Sequence, residues 1–225
     1  MTRRTLAPAV IVDAAIAAAA RGDDAPLSGR TLGDALGVDR SAIWRHFADH
    51  DALLRAAGDR LLRLALDEVP TDLVPHERMM ALARALVRVF VRHAGIGALV
   101  AGRTTGGPAE IDVVELTLRA LDEAGVPPEQ VAHQQRMIAD AVLGYAGMRA
   151  TQALLPAAQR QHDLLAWGAV YAGVSAQTHP AIAAHLPALA AVTDDDVLES
   201  LLAALWRAVQ SIAAPAGSAT GERRS

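Results

Sequence analysis

A short segment at residues 40–46 carries side chains whose chemistry suits contact with a DNA duplex. Its arginines can donate hydrogen bonds to base edges, its hydroxyl and ring N–H groups can donate to phosphate oxygens, and its alanine is small enough to allow a close approach. The candidates are Arg40, Ser41, Ala42, Trp44, Arg45 and His46. They can read DNA only if a helix presents them together, so the flanking pattern decides the interpretation.

Two short amphipathic helices frame this segment. Leu32 and Leu36 are four residues apart, and so are Ile43 and Phe47, which gives each helix one narrow apolar stripe. The polar candidates fall on the side of the second helix that faces away from its stripe. Neither stripe can stabilise a helix alone, so the two helices must pack together.

The residues between the two helices predict a tight turn. Gly37 suits a helix end in the left-handed conformation, because glycine lacks the Cβ that makes this conformation unfavourable. Asp39 can accept a hydrogen bond from the backbone N–H of Ser41 or Ala42 and so cap the recognition helix, which we place at about 40–47. This order predicts a helix-turn-helix. An ordinary helical hairpin with solvated arginines is the alternative that the pattern alone leaves open.

Four motifs in the first third of the chain match one known family. They are Ile11-Val12-Asp13-Ala14-Ala15, Leu36-Gly37-Val38, Ile43-Trp44-Arg45-His46-Phe47 and Asp51-Ala52-Leu53-Leu54. With these motifs, residues 7–66 resemble the N-terminal DNA-binding domain of the TetR family of bacterial transcription regulators. The resemblance implies a three-helix, helix-turn-helix fold for this part of the chain.

The resemblance also implies roles for single residues. We expect Arg40 and Arg45 to read bases. Contact with the DNA backbone is implied for Ser28, Trp44, His46 and His50. Trp44 replaces the usual tyrosine, so this position can donate a hydrogen bond but not accept one. His50 replaces a lysine, which makes that phosphate contact weaker and titratable near neutral pH.

Composition limits the remaining interpretations. The chain has 225 residues, no cysteine and a formal net charge of −4, and all of its positive side chains except the histidines are arginines. Disulfides and thiolate metal sites are therefore excluded, and the charge permits DNA binding without predicting it. The sequence has no signal-peptide pattern and no apolar run of the ~20 residues that a membrane helix needs, so we expect a cytoplasmic protein.

From residue 70 onward the apolar periodicity is helical and no alternating strand pattern is present. Proline and glycine separate the helices, with a break at 102–107. The sequence predicts helices at about 75–93, 96–101, 108–125, 127–155, 157–177 and 194–213. The predicted fold class is all-α, with a helix-turn-helix domain at 1–66, a larger helical domain at 67–214 and a small polar tail, expected to be disordered, at 215–225.

The order of these helices is again similar to the TetR family, whose second domain binds a small effector and dimerises. The resemblance implies that two long helices, about 127–155 and 194–213, pair with their copies in a four-helix interface. The candidate interface residues are Ala146, Gly147, Ala150, Leu201, Leu205 and Trp206. The same residues would also suit an intramolecular core.

Candidates for an effector pocket are bulky groups in alanine-rich helices and polar groups near the break. The bulky candidates are Met137, Tyr145, Met148, Trp167 and Tyr171, and the polar candidates are Arg103, Thr104 and Arg149. A mostly apolar pocket needs few polar groups to orient its ligand, so we expect a small, largely apolar effector. Helical core is the alternative interpretation of every bulky candidate.

Other chemistry finds little support in the sequence. His46 and His50 are four residues apart but straddle a helix break, and no His-Glu-x-x-His motif is present, so no metal site is predicted. The segment 102–107 lacks the lysine and the preceding strand of a P-loop, and 173–177 lacks the closing glycine of a nucleophile elbow. We expect neither a cofactor nor an enzymatic activity. A helical enzyme, or an interaction protein without DNA contact, is the alternative class.

Together these inferences predict a ligand-responsive transcriptional repressor. We expect a homodimer that binds a palindromic operator on double-stranded DNA and is released by a small-molecule effector. A regulator without an effector, whose core is filled by its own side chains, is the alternative.

Overall fold

Prolines, glycines and capping residues divide the chain into helices. The computed structural model describes residues 6–22 and 25–213, apart from the side chains of Leu164 and Trp167, and all regular structure in these residues is helical. The helices are α1 (Pro8–Arg21), α2 (Gly29–Leu36), α3 (Arg40–Ile43), α4 (His50–Asp67), α5 (Pro75–Arg92), α6 (Ala94–Val100), α7 (Pro108–Glu123), α8 (Pro128–Leu154), α9 (Ala157–Ala172), α10 (Pro180–Ala191) and α11 (Asp194–Ala213). We call α1–α4 the head and α5–α11 the body.

The turn between α2 and α3 has the geometry that the sequence predicts. Gly37 ends α2 with a φ of 66°, and the Asp39 carboxylate accepts a hydrogen bond of 2.8 Å from the backbone N–H of Ser41. Both predictions are confirmed. The recognition helix is shorter than predicted, because α3 ends at Ile43 and continues as a turn in which the N–H of His46 donates to the Ile43 carbonyl.

Buried side chains of the head and the body form one continuous hydrophobic core. Helix α1 packs on α2, α4 and α6, while α4 packs on α5, α6 and α7, so two head helices contact the body directly. Ile11, Leu32, Ile43 and Leu53 are fully buried in the head. A change in the body can therefore reach the recognition helix through packed side chains.

Small residues bring helix α6 close to its neighbours. A Cβ on Gly95 would lie 2.8 Å from the carbonyl oxygen of Ala19 in α1, and a Cβ on Gly58 of α4 would lie 3.2 Å from Val100 in α6. Helix α6 is thus in close contact with α1 and α4 of the head, and neither contact leaves space for a larger side chain. The segment that follows it, 101–107, is held between the head and the body.

Two helices in the last third of the chain differ from the sequence prediction. Helix α9 ends at Ala172 rather than near 177, and residues 180–191 form helix α10 although Pro187 lies inside it. An internal proline removes a backbone hydrogen bond, which argues against a helix when the sequence alone is considered. No residue of α10 is buried, so water can satisfy the carbonyl group that Pro187 leaves unpaired.

The predicted tail at 215–225 lies outside the described residues. In the part of the chain that is described, no helix combines the length and the apolar composition needed to cross a membrane.

Candidate functional site

Seven of the eight residues predicted to contact DNA lie in α3, in the turn after it and at the start of α4, and the eighth, Ser28, directly precedes α2. Arg40 and Ser41 are exposed on the first turn of α3, and Arg45 and His46 are exposed in the turn that follows. His50 is exposed as the first residue of α4. The remaining three candidates, Ser28, Ala42 and Trp44, are half-buried.

Trp44 has a structural position that the sequence does not reveal. Its indole lies over Gly29 of α2, where a Cβ would come within 2.5 Å of the indole Nε1. The same ring meets the imidazole of His50 with 4.5 Å between ring centroids, tilted by 48°. Trp44 therefore contacts α2 and α4 as well as α3, and it orients His50.

Ser28 caps helix α2. Its Oγ accepts a hydrogen bond of 3.0 Å from the backbone N–H of Thr31 and forms a second one with the Thr31 hydroxyl at 2.8 Å. A shallow hollow beside it is lined by Arg21, Arg30 and Thr31. The start of α2 thus presents hydroxyl groups and arginines on one surface of the head.

A cavity of about 510 Å³ lies between α4 of the head and α5, α7 and α8 of the body, with the segment 101–107 at its rim. Most of its wall is aliphatic, and Phe90 is its one aromatic residue. The apolar lining residues are Leu62, Met79, Leu82, Ala83, Leu86, Phe90, Val100, Ala101, Val113, Val114, Ile138, Ala139, Val142 and Leu143. The volume is in the range of small-molecule binding sites.

Carboxylates organise the rim of this cavity. Asp59 of α4 accepts hydrogen bonds from the backbone N–H groups of Ala109 (3.3 Å) and Glu110 (3.0 Å), so a head helix caps the N-terminus of α7. Glu110 accepts from the backbone N–H and the hydroxyl of Thr105 and from the N–H of Gly106, at 2.6, 2.7 and 2.7 Å. The Thr105 hydroxyl also donates to Asp59 at 3.3 Å, so the segment 101–107 is fixed to both α4 and α7.

An ion pair makes a second connection between the rim and the head. Arg103 donates a hydrogen bond of 2.5 Å to the carboxylate of Asp51, the second residue of α4, and this hydrogen bond lowers the pKa of the Asp51 carboxyl. Arg55 also pairs with Asp51 at 2.7 Å. Asp51 therefore has one arginine partner from its own helix and one from the cavity rim.

Two of the residues predicted to bind an effector, Arg103 and Thr104, line this cavity. The five other candidates with described side chains do not: Met137, Tyr145, Met148, Arg149 and Tyr171. Trp167 belongs to α9, but its side chain lies outside the described part of the structure.

Tyr145 and Arg149 have an intramolecular role instead. The Tyr145 hydroxyl donates to the backbone carbonyl of Asp194 at 2.8 Å, and Arg149 pairs with the Asp194 carboxylate at 2.6 Å. Both side chains hold α8 to the start of α11. Neither side chain lines the cavity of about 510 Å³.

The candidate dimer residues also pack within the chain. Ala146 and Ala150 are fully buried, Gly147 lies directly against Ala101 after helix α6, and Leu205 is buried in the core. Leu201 and Trp206 are half-buried against that core, and the Trp206 indole stacks on His76 with 5.2 Å between ring centroids. These residues form the intramolecular core that the sequence left open as the alternative.

Other apolar side chains remain exposed along the C-terminal half of the chain. They follow α8, α9, α10 and the start of α11 in sequence: Met148, Leu154, Leu165, Val170, Leu189, Val192 and Val197. These side chains are therefore available for contact with another molecule.

Sequence reasoning missed the carboxylates at the cavity rim. Glu110 carries a local signal, because an acid in the first turn of a helix that begins at Pro108 can reach back to preceding backbone N–H groups. Asp59 carries none, since its partners are about 50 residues away in the sequence. Among the described residues, no cluster of histidine and carboxylate side chains could hold a metal ion.

Comparisons with known proteins agree with this architecture. The family model of the tetracyclin repressor-like C-terminal domain matches residues 75–207. The structure of the transcriptional regulator SCO7222, a TetR from Streptomyces coelicolor, has a TM-score of 0.78 at 21% identity, covering 92% of this chain and 99% of that chain. ActR from the same organism, in complex with actinorhodin, has a TM-score of 0.81 at 20% identity, covering 95% and 100%.

A third solved structure, BioQ of Mycobacterium smegmatis, has a TM-score of 0.63 at 23% identity, covering 92% of this chain and 99% of that chain. A comparison with curated protein sequences finds no match. At such identities the solved structures show the fold, whereas the family match spans more than half of the chain. The chain therefore belongs to the TetR family of transcriptional regulators.

Proposed function

We propose that the protein is a ligand-responsive transcriptional repressor. It binds a palindromic operator as a homodimer through the exposed residues of α3 and the start of α4, and a small, largely apolar molecule in the body cavity releases it. The observation that carries this proposal is the aliphatic cavity of about 510 Å³ whose rim is hydrogen-bonded to the head helix α4. A regulator without an effector has no need for such a space.

Helix α7 connects the cavity to the head through its N-terminal cap. Asp59 on α4 holds the N-terminus of α7, while Val113 and Thr117 of α7 line the cavity. A ligand that displaces α7 must move Asp59 or break its hydrogen bonds. Either change acts on α4, whose first residue is the DNA-contact candidate His50. The ligand thereby favours an arrangement of the head that differs from the DNA-bound one.

Solved relatives support the choice of a small molecule as the effector. Two of the ActR structures are complexes, one with actinorhodin and one with (S)-DNPA. The fold that this chain shares with ActR can therefore hold small organic molecules. The identity of the effector does not carry over at 19–20% sequence identity.

The homodimer follows from the short recognition helix and from the exposed apolar side chains. A helix of four residues with one adjoining turn reads few base pairs, so useful specificity requires two copies related by a twofold axis. The exposed apolar set from Met148 to Val197 supplies the surface that a second copy covers.

The test begins with selection of the preferred site from random DNA, which should return a palindrome. A panel of hydrophobic metabolites and antibiotics is then screened for compounds that release the operator, measured by fluorescence anisotropy. Gly144→Leu should bind the operator but resist release, because Gly144 lines the cavity and its Cβ direction is open. Gly144→Ala is the matched control, because its single methyl group takes the same open direction but fills little of the cavity.

Two results would contradict the proposal. An asymmetric consensus or a monomer in solution would exclude the dimeric repressor. If no compound of the panel shifts the thermal melt or the operator affinity, the regulator without an effector is the better description.

A further inference from the structure

The cavity has an aliphatic wall and a charged rim. Aliphatic side chains of α5, α7 and α8 form the wall, whereas the charged lining residues are Arg103, Glu110, Arg136 and Asp140. A ligand that fills the wall region must place its remaining atoms against this charged rim. The partners of these four groups decide which of them a ligand can engage.

Three of the charged rim groups already have partners from the body. Glu110 accepts three hydrogen bonds from Thr105 and Gly106, and Arg136 pairs with Asp140 one turn further along α8 at 2.7 Å. Arg103 differs, because its carboxylate partner is Asp51 of the head. Among these four lining groups, Arg103 is thus the one whose change of partner acts on the head.

Exchange of this partner is energetically inexpensive. Arg103 and Asp51 have side-chain exposures of 40% and 42%, and solvent-exposed pairs of this kind contribute little to stability. Asp51 also keeps Arg55 at 2.7 Å when Arg103 moves away, so the exchange leaves no carboxylate without a partner. A carboxylate on a bound ligand can take the place of Asp51 on Arg103 with a bidentate geometry.

We infer that the effector is an aliphatic carboxylic acid, and that its carboxylate binds Arg103 in place of Asp51. This inference rests on the proposed function of the cavity as an effector site. Loss of the Arg103 partner removes a connection between the body and the first turn of α4. His50, whose ring contacts Trp44, immediately precedes Asp51 in that turn. The exchange therefore acts directly on residues expected to contact DNA.

The experiment compares matched acids and amides as probes. Octanoate, decanoate and dodecanoate, and the primary amide of each, are titrated into the full-length protein in the absence and presence of selected operator. We expect at least one acid to bind about tenfold more tightly than its amide, the ratio that a charge-assisted contact supports. In Arg103→Gln this preference should disappear.

Arg63→Gln is the matched control. Arg63 also joins α4 to the body through an exposed ion pair, with Asp112 of α7, but it does not line the cavity. The acid preference should persist in this variant. If it disappears in both variants, general electrostatic attraction explains it and the inference is overturned.

The remaining outcomes separate the inference from the proposed function. If an amide binds and releases the operator as well as its acid, the cavity is an effector site but the acid inference is wrong. If none of the six probes binds, the acid inference is also overturned, while a different compound that releases the operator would still support the proposed function. Acids that bind without affecting the operator would overturn the acid inference, and the proposed function would then depend on the wider compound panel.

Discussion

At Gly29 the absence of one methyl group lets the Trp44 indole lie over helix α2. A Cβ at this position would come within 2.5 Å of the indole Nε1, so Gly29→Ala must displace the ring. We expect Gly29→Ala to destabilise the head by about 1–3 kcal/mol, the usual cost of overpacking, and to weaken operator binding because His50 loses its contact with Trp44. Thermal unfolding and anisotropy with operator DNA measure the two effects.

A second substitution shows whether the clash is the cause. Trp44→Phe removes the indole nitrogen that the new methyl group would meet, so Gly29→Ala combined with Trp44→Phe should be more stable than Gly29→Ala alone. Gly144→Ala is the control for placing alanine in a helix, because nothing lies near its Cβ direction. Additive effects of the two head substitutions would contradict the packing argument.

Features that depend on residues only a few positions apart could be predicted from the sequence. The capping role of Asp39, the left-handed Gly37 and the exposed polar face after α3 all depend on neighbours within four residues. The contacts of Trp44 with Gly29 and of Arg103 with Asp51 depend on how helices cross. No local pattern encodes those crossings, so these contacts require the structure.

At the level of helices, the start of α7 depends on a carboxylate from α4. Asp59 accepts hydrogen bonds from the N–H groups of Ala109 and Glu110, and its removal leaves these donors without their acceptor. We expect Asp59→Ala to lower the free energy of unfolding by about 1 kcal/mol. Chemical denaturation measures this change. Asp112→Ala, which removes an exposed partner of Arg63, should have a smaller effect.

The α4–α5 contact makes stability depend on pH. Arg92 and Arg88 of α5 donate hydrogen bonds of 2.8 and 3.0 Å to Glu68, which lowers its pKa below the ordinary 4.5. A lowered pKa means that the ionised Glu68 stabilises the fold above pH 4.5 and that this contribution is lost as the pH falls through the folded-state pKa.

Glu68→Gln tests this dependence. The variant has no charge to lose, so its unfolding free energy should lie below that of the wild type at about pH 6 and approach it at about pH 3. Glu123→Gln, at the exposed end of α7, controls for the loss of one negative charge. A stability difference that stays constant over this range would contradict the role of Glu68.

Helix positions were predictable where proline and glycine mark the ends. The bounds of α5, α7 and α8 lie within a few residues of the sequence prediction. Helix α10 was missed because Pro187 normally interrupts a helix, and only its exposed position in the fold makes the proline tolerable. The cavity was missed for another reason. Its wall consists of apolar faces that have the same periodicity whether they enclose a void or a packed core.

At the scale of the whole molecule, the exposed apolar side chains of the C-terminal half are the expected contact surface of the proposed dimer. Leu165 in α9 is 64% exposed, and a second copy is expected to cover it. Leu165→Glu should then shift the protein toward monomer in sedimentation experiments and weaken operator binding. Ile111→Glu is the matched control, because Ile111 is 66% exposed but lies on α7, which carries none of the exposed residues from Met148 to Val197. Equal effects of both substitutions would place the interface elsewhere.

Thermodynamic linkage makes DNA binding and effector binding reciprocal if the continuous core couples the two sites. If a compound in the cavity lowers operator affinity, the operator must lower the affinity for that compound by the same factor, which we expect to be about 5–150-fold, or about 1–3 kcal/mol. Calorimetric titration of a compound that releases the operator, with and without saturating operator, measures one factor. Operator titration with and without the compound measures the other. A non-palindromic duplex of equal length should leave the affinity for the compound unchanged. Two unequal factors would show that the compound binds the DNA or binds the protein at more than one site, because a single bound compound and a single operator must give equal factors.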